Sequence, residues 1–248
     1  MKTAKILKKS VLNSGNNWIT LLNSANLSKK NAVTPVNFHL YHYAANNPVR
    51  YTDPDGRDIY LSYDIKKQTD FYLKYEKAVN YLMKSSVKNL VNTIFSDLRD
   101  SAVKITVVDT IFDDKYNTTT DEVIWNPFLT SYNDKTLLYN SSAIALMHEL
   151  IHSWVDTTEN GKNTFKSFLE KNQKNLDAYY DKHASFFKKI NWSKEKFYSE
   201  FFTAFLEKTI AIDLGEPVTR QNYFELDDTT SISVDDVTEA GKWYGLQD

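Results

Sequence analysis

The chain has 248 residues, enough for one large domain or a domain with an appendage. A hydrophobic content of 42% with 14% aromatics supplies a core, and a formal net charge of −2 excludes a chain-wide basic footprint for nucleic acid. Cysteine is absent. That excludes disulfide staples, thiolate zinc ligands and a cysteine nucleophile, leaving histidine and carboxylate as ligands for any metal. No run approaches the roughly 18 apolar residues of a membrane span.

Residues 1–36 are rich in Asn, Ser and Lys with little periodicity, as expected of a loose segment. Lys2, Lys5, Lys8 and Lys9 resemble the basic start of a signal peptide. Ser10 to Asn17 offers no apolar core, so no conventional signal is expected, and export would use another route or a larger precursor. Phe38 to Tyr43 reads as a short aromatic strand. A turn at Asn47-Pro48, a second short strand and a tight turn at Asp53-Pro54-Asp55-Gly56 follow.

From residue 58 onward the pattern is mixed helix and strand, an α+β arrangement. Ile59 to Tyr63 alternates like a strand. Helices are expected over 68–84 and 86–99, the first placing Phe71, Tyr75, Ala78, Val79 and Leu82 at helical spacing. A strand over 103–108 precedes a polar loop over 109–121 tipped by Asn117-Thr118-Thr119-Thr120. The next strand, Glu122 to Asn126, is stopped by Pro127. A helix over 141–157 has Asn140 or Ser141 available as N-cap. Further helices are expected over 163–188 and, capped by Ser193, over 194–211. Leu214-Gly215-Glu216-Pro217 ends the last of these, and the tail is acidic and rich in Asp, Thr and Ser. There are no internal repeats.

The helix over 141–157 carries His148-Glu149-Leu150-Ile151-His152. Residues four apart lie one above the other on a helix, so both imidazoles can reach one cation. Glu149, offset by one, can miss the metal yet touch a water beside it, the general-base position of zinc peptidases. With five histidines in the chain, chance would give this string about 0.005 times. A bland alternative, two histidines that merely satisfy their neighbours, carries much less weight.

A catalytic zinc takes three protein ligands and an open position. Asp156 lies eight residues after His148, a climb of about 12 Å along continuous helix, too far for convergence. Glu200 is the better carboxylate, set among Phe197, Tyr198, Phe201, Phe202 and Phe205, where burial is expensive without a cationic partner. Thr203 and Ala204 are small enough for that helix to approach the motif helix. Glu207, seven residues on, shares the face and is the rival, although Lys208 beside it suggests a solvated end. His183 is a reserve ligand. Farther on, Arg220 and Tyr223 could stabilise a negative oxygen in a partly dry cleft, although such a pair is more often structural.

Two stretches carry a family resemblance. Leu40 to Arg57 resembles the closing segment of an Rhs/YD-repeat core, after which a variable toxin domain begins in that family. The resemblance implies a remnant over 1–57 and a cargo domain over 58–248. Within the latter, Val123-Ile124-Trp125-Asn126-Pro127, the Ala145-to-His152 string, Glu200, Ala204 and Leu214 to Tyr223 resemble the NleD-like zinc endopeptidases. Clostridial neurotoxin light chains have a similar plan of HExxH, distal Glu and R-x-x-Y. Ser153-Trp154 departs from the small residues that often follow the second histidine in the NleD-like family.

The resemblance implies a zincin-like metalloprotease with a small sheet and an active-site helix. His148, His152 and Glu200 would hold Zn2+, Glu149 would be the base, and Arg220 and Tyr223 would face the substrate carbonyl. It implies a toxin or effector, secreted or delivered into a target cell, that cleaves a protein there and has an immunity protein as partner. The competing expectation is a non-catalytic remnant that only binds a partner such as that immunity protein.

Overall fold

The computed structural model describes residues 59–62, 68–101, 105–109, 114–133, 136–217 and 229–242. The Rhs-like string, His39 and His42, and Arg220 and Tyr223 lie outside the described residues.

Strand β1 (Ile59–Ser62) leads through helices α1 (Gln68–Leu82) and α2 (Lys88–Arg99) to β2 (Ile105–Asp109), which pairs parallel with it. Strands β3 (Lys115–Asn117) and β4 (Glu122–Trp125) form a hairpin, and β4 pairs parallel with β2. The first sheet therefore runs β1-β2-β4-β3, with β3 as an antiparallel edge. Helix α1 buries Phe71, Tyr75, Ala78, Val79 and Leu82, and α2 buries Leu90, Val91, Ile94, Phe95 and Leu98. These are the apolar stripes of two amphipathic helices.

A second sheet, absent from the sequence reading, is antiparallel throughout. Strands β5 (Leu129–Asn133) and β6 (Leu138–Tyr139) form its centre, flanked by β7 (Thr229–Ser233) and β8 (Gly241–Lys242) in the order β7-β5-β6-β8. Its small core joins Tyr132, Tyr139, Ile232 and Val234. The tail that looked merely acidic and polar is thus partly strand, because long-range pairing overrides its low strand propensity. Likewise β3 lies inside the stretch expected to be a polar loop.

Helix α3 (Ser142–Thr157) occupies the centre, packed against α1, α2, β3, β4 and β5. It also contacts α4 (Glu159–Lys182) and α6 (Lys194–Asp213). Residues on all its sides are buried, as a helix enclosed by other elements requires. Ser141 is the N-cap, its Oγ accepting from the Ile144 N–H at 3.3 Å. The Trp125 indole N–H donates to the Ser142 carbonyl at 2.9 Å and fixes the end of β4 against the start of α3. The Trp125 ring lies near Phe71 and Tyr75 of α1, with centroids 5.8 and 6.4 Å away.

The segment expected as one helix over 163–188 is two. Helix α4 starts earlier, at Glu159, and ends at His183, beyond which α5 (Ala184–Lys189) begins. Its early start follows from Thr158, whose Oγ accepts from the Gly161 N–H at 3.0 Å and donates to the Trp154 carbonyl at 2.8 Å. That one hydroxyl closes α3 and opens α4 within a single residue. Gly161 is required there, since a Cβ would stand 2.1 Å from the Trp154 carbonyl oxygen. Gly161→Ala is therefore expected to destabilise the fold by about 1–3 kcal/mol despite the higher helix propensity of alanine, read as a lower urea midpoint.

Candidate metal centre

Helix α3 presents His148 and His152 one turn apart, and α6 brings Glu200 to face them. Among the described residues, these three form the one group of histidine, cysteine and carboxylate side chains that could hold a metal ion. His148 Nε2 and His152 Nε2 are 3.1 Å apart, and Glu200 Oε2 lies 3.5 Å from each. The edges of a zinc tetrahedron with bonds near 2.05 Å are about 3.3 Å long. The point equidistant from the three atoms lies about 2.0 Å from each, within the range of zinc–nitrogen and zinc–oxygen bonds. The donor set fits.

The other ring nitrogens are also engaged. His148 Nδ1 donates to Glu207 Oε2 at 2.6 Å. A carboxylate can only accept, so this contact keeps the proton on Nδ1 and turns the Nε2 lone pair toward the triad. His152 Nδ1 lies 3.3 Å from both the Ser199 and the Thr203 hydroxyls. Glu200, Thr203 and Glu207 follow at i, i+3 and i+7, so one stripe of α6 serves both imidazoles. The expectation that Glu207 ends in solvent is corrected. It is 8% exposed, and Lys208 is half-buried, with its pKa lowered by desolvation. Glu207 takes the supporting position behind His148. Its spacing from Glu200 was the available signal; the side of the imidazole it would meet depends on how the helices cross.

The electrostatics call for a cation. Glu149, Glu200 and Glu207 gather, largely buried, around two imidazoles. Burial works to lower the His148 pKa, but its contacts with Glu200 and Glu207 outweigh this and hold it up at about 10. Burial works against the charged Glu200 as well, and contacts with the two histidines keep its pKa far below the ordinary carboxylate value. Burial pushes the Glu149 carboxyl up against the pull of both imidazoles. Glu149 is 8% exposed.

The remaining candidates lie apart from the triad. Asp156 is exposed and accepts from the Tyr116 phenol at 3.1 Å. His183 closes α4 and stacks on Tyr179 at 4.3 Å. Among the described residues, no helix is long and apolar enough to cross a membrane.

No family model, curated protein or solved structure matches the chain. Class therefore rests on fold and site. An α+β fold with small sheets and a central helix bearing candidate metal ligands is consistent with a zincin-like protease core, and the triad is of the metalloenzyme kind.

Two outcomes follow from this geometry. Glu207→Gln is expected to weaken zinc binding about 10–100-fold without abolishing it, measured by competition with a chromophoric chelator. Contacts with Glu200 and Glu207 hold the His148 pKa above its ordinary value, so zinc uptake is expected to displace a proton from it. The apparent zinc affinity is then expected to rise roughly tenfold per pH unit between pH 6 and 9, scored by titrations at several pH values. A flat profile would show that His148 is already deprotonated.

Proposed function

We propose that this protein is a zinc-dependent endopeptidase. The observation that carries the reading is the triangle of His148, His152 and Glu200, with the buried carboxyl of Glu149 one residue from a ligand on the same helix. Zinc held by these three residues would polarise a scissile carbonyl and acidify a water. Glu149 accepts a proton from the attacking water and returns it to the leaving amine. Arg220 and Tyr223 are assigned to the oxyanion on the strength of their spacing and of the resemblance to NleD-like peptidases.

The finer reading, a toxin or effector domain over 58–248 that is carried by an Rhs-type shell, cleaves a protein in a target cell and is restrained by an immunity protein, is supported by the Leu40 to Arg57 string. A binding-only role is less well supported, since partner binding alone gives no reason to bury three carboxyl groups around two imidazoles.

Paired variants test the assignment. Glu149→Gln keeps the shape and about one zinc per chain, while cleavage falls about 10²–10⁴-fold. Glu200→Gln removes a charged ligand, so zinc itself is lost or weakly held. Zinc stoichiometry and a proteome-wide cleavage profile on the two variants give opposite patterns. Full zinc retention in Glu200→Gln would move the third ligand elsewhere.

A further inference from the structure

The two imidazoles of the triad are not backed alike. His148 has a carboxylate behind it, that of Glu207, whereas His152 has only hydroxyls. Ser199 Oγ and Thr203 Oγ1 each lie 3.3 Å from His152 Nδ1. These two residues are one turn apart on α6, so they flank the same edge of the ring. Two equal contacts, each slightly longer than a single N–H···O bond, are what one proton shared between two acceptors gives.

Thr203 differs from Ser199 in its surroundings. It is 0% exposed, while Ser199 is half-buried, so solvent reaches the serine and not the threonine. A threonine inside a helix can turn its hydroxyl to the carbonyl four residues back. Thr157, Thr164 and Thr209 do so here, at 2.7, 2.8 and 2.9 Å. The Thr203 hydroxyl is placed against His152 Nδ1 instead, its one hydrogen-bond partner among the described residues.

The other nitrogen of the ring gives this contact its consequence. His152 Nε2 lies 3.1 Å from His148 Nε2 and 3.5 Å from Glu200 Oε2. To offer a lone pair there, the ring must carry its proton on Nδ1, and a proton held inside the protein needs an acceptor. A ring turned over about its Cβ–Cγ bond would put a carbon where Nε2 stands. The hydroxyls oppose that turn, and being neutral they add no charge of the kind Glu207 brings behind His148.

We propose that Thr203 is a positioning residue for His152: its buried hydroxyl accepts the Nδ1 proton, with Ser199 as a second acceptor, and so keeps Nε2 facing the centre of the triad. This deepens the peptidase reading and rests on it. Thr203 acts through the imidazole and touches neither metal nor substrate.

Zinc affinity, measured by competition with a chromophoric chelator, and the imidazole N–H signals in the NMR spectrum of the zinc-loaded chain test this role. Thr203→Val exchanges the hydroxyl for a methyl of similar size. It should raise the zinc Kd about tenfold and broaden the His152 Nδ1–H signal through exchange with water, while the His148 Nδ1–H signal, held by Glu207, stays sharp. Thr203→Ser keeps the hydroxyl, and Ser199→Ala leaves Thr203 in place, so both should stay within about threefold of the unaltered chain and keep both signals. A Kd for Thr203→Val within twofold of the unaltered chain would overturn the proposal. So would Thr203→Ser as impaired as Thr203→Val, because packing and not the hydroxyl would then matter, or a greater loss in Ser199→Ala than in Thr203→Val. If Thr203→Val fails to fold, Thr203→Ser against Thr203→Ala isolates the hydroxyl and is judged by the same criteria. Should the unaltered chain take up no zinc, the peptidase reading itself falls. Variants that hold zinc as the unaltered chain does would leave that reading standing and remove only the role of Thr203.

Discussion

The structure depends on gathering a charged cluster between two helices. Removing a carboxylate from water costs several kcal/mol, and Glu149, Glu200 and Glu207 all turn inward. That cost is offset when each charge meets a partner at hydrogen-bond distance, which restricts how α3 and α6 may approach. Helix α6 meets the requirement with two faces. Ser199, Glu200, Thr203 and Glu207 serve the imidazoles. Phe201, Phe202 and Phe205 pack with Phe168 of α4, their ring centroids 5.0–6.1 Å away. The aromatic packing brings the helix close; the polar stripe settles its rotation.

The opposite end of α3 is held with equal economy. Glu216, buried just beyond α6, accepts from the Ser141 N–H at 2.8 Å and from the Asn140 side-chain amide at 3.0 Å. A carboxylate at a helix N-terminus is favoured by the backbone dipoles and by N–H groups with no partner inside the helix. The Val237 carbonyl accepts from the Ala143 N–H at 2.9 Å, and Trp125 anchors β4 nearby. The first sheet through Trp125 and the β7–β8 connection through Val237 therefore fasten to the first turn of α3, while the candidate ligands stand in its later turns, facing α6.

Much was legible from the chain alone, for reasons of local physics. Helical spacing of apolar residues marked α1, α2 and α3, and the Ser141 and Ser193 hydroxyls marked two helix starts, because capping is a contact within four residues. His148, Glu149 and His152 were readable because four residues make one turn, and Glu200 because a lone carboxylate among aromatics asks for a cation. The strands of the second sheet were not, since β5 pairs with β7 across about a hundred residues and neither has strong alternation.

What the sequence determined by itself is the chemistry available: two imidazoles on one helical face, a carboxylate offset by one, no thiol, and an acidic partner on a later helix. The tertiary structure decided which carboxylate does what. Glu200 and Glu207 share a residue type and a face of α6, and they differ only in which side of His148 each meets. The tertiary structure also made Tyr116, in an unremarkable polar stretch, the neighbour of Asp156 on the ligand-bearing helix. Spacing along a chain fixes directions around one helix, whereas contacts between elements depend on how those elements cross, and that is set by the packing of the whole core.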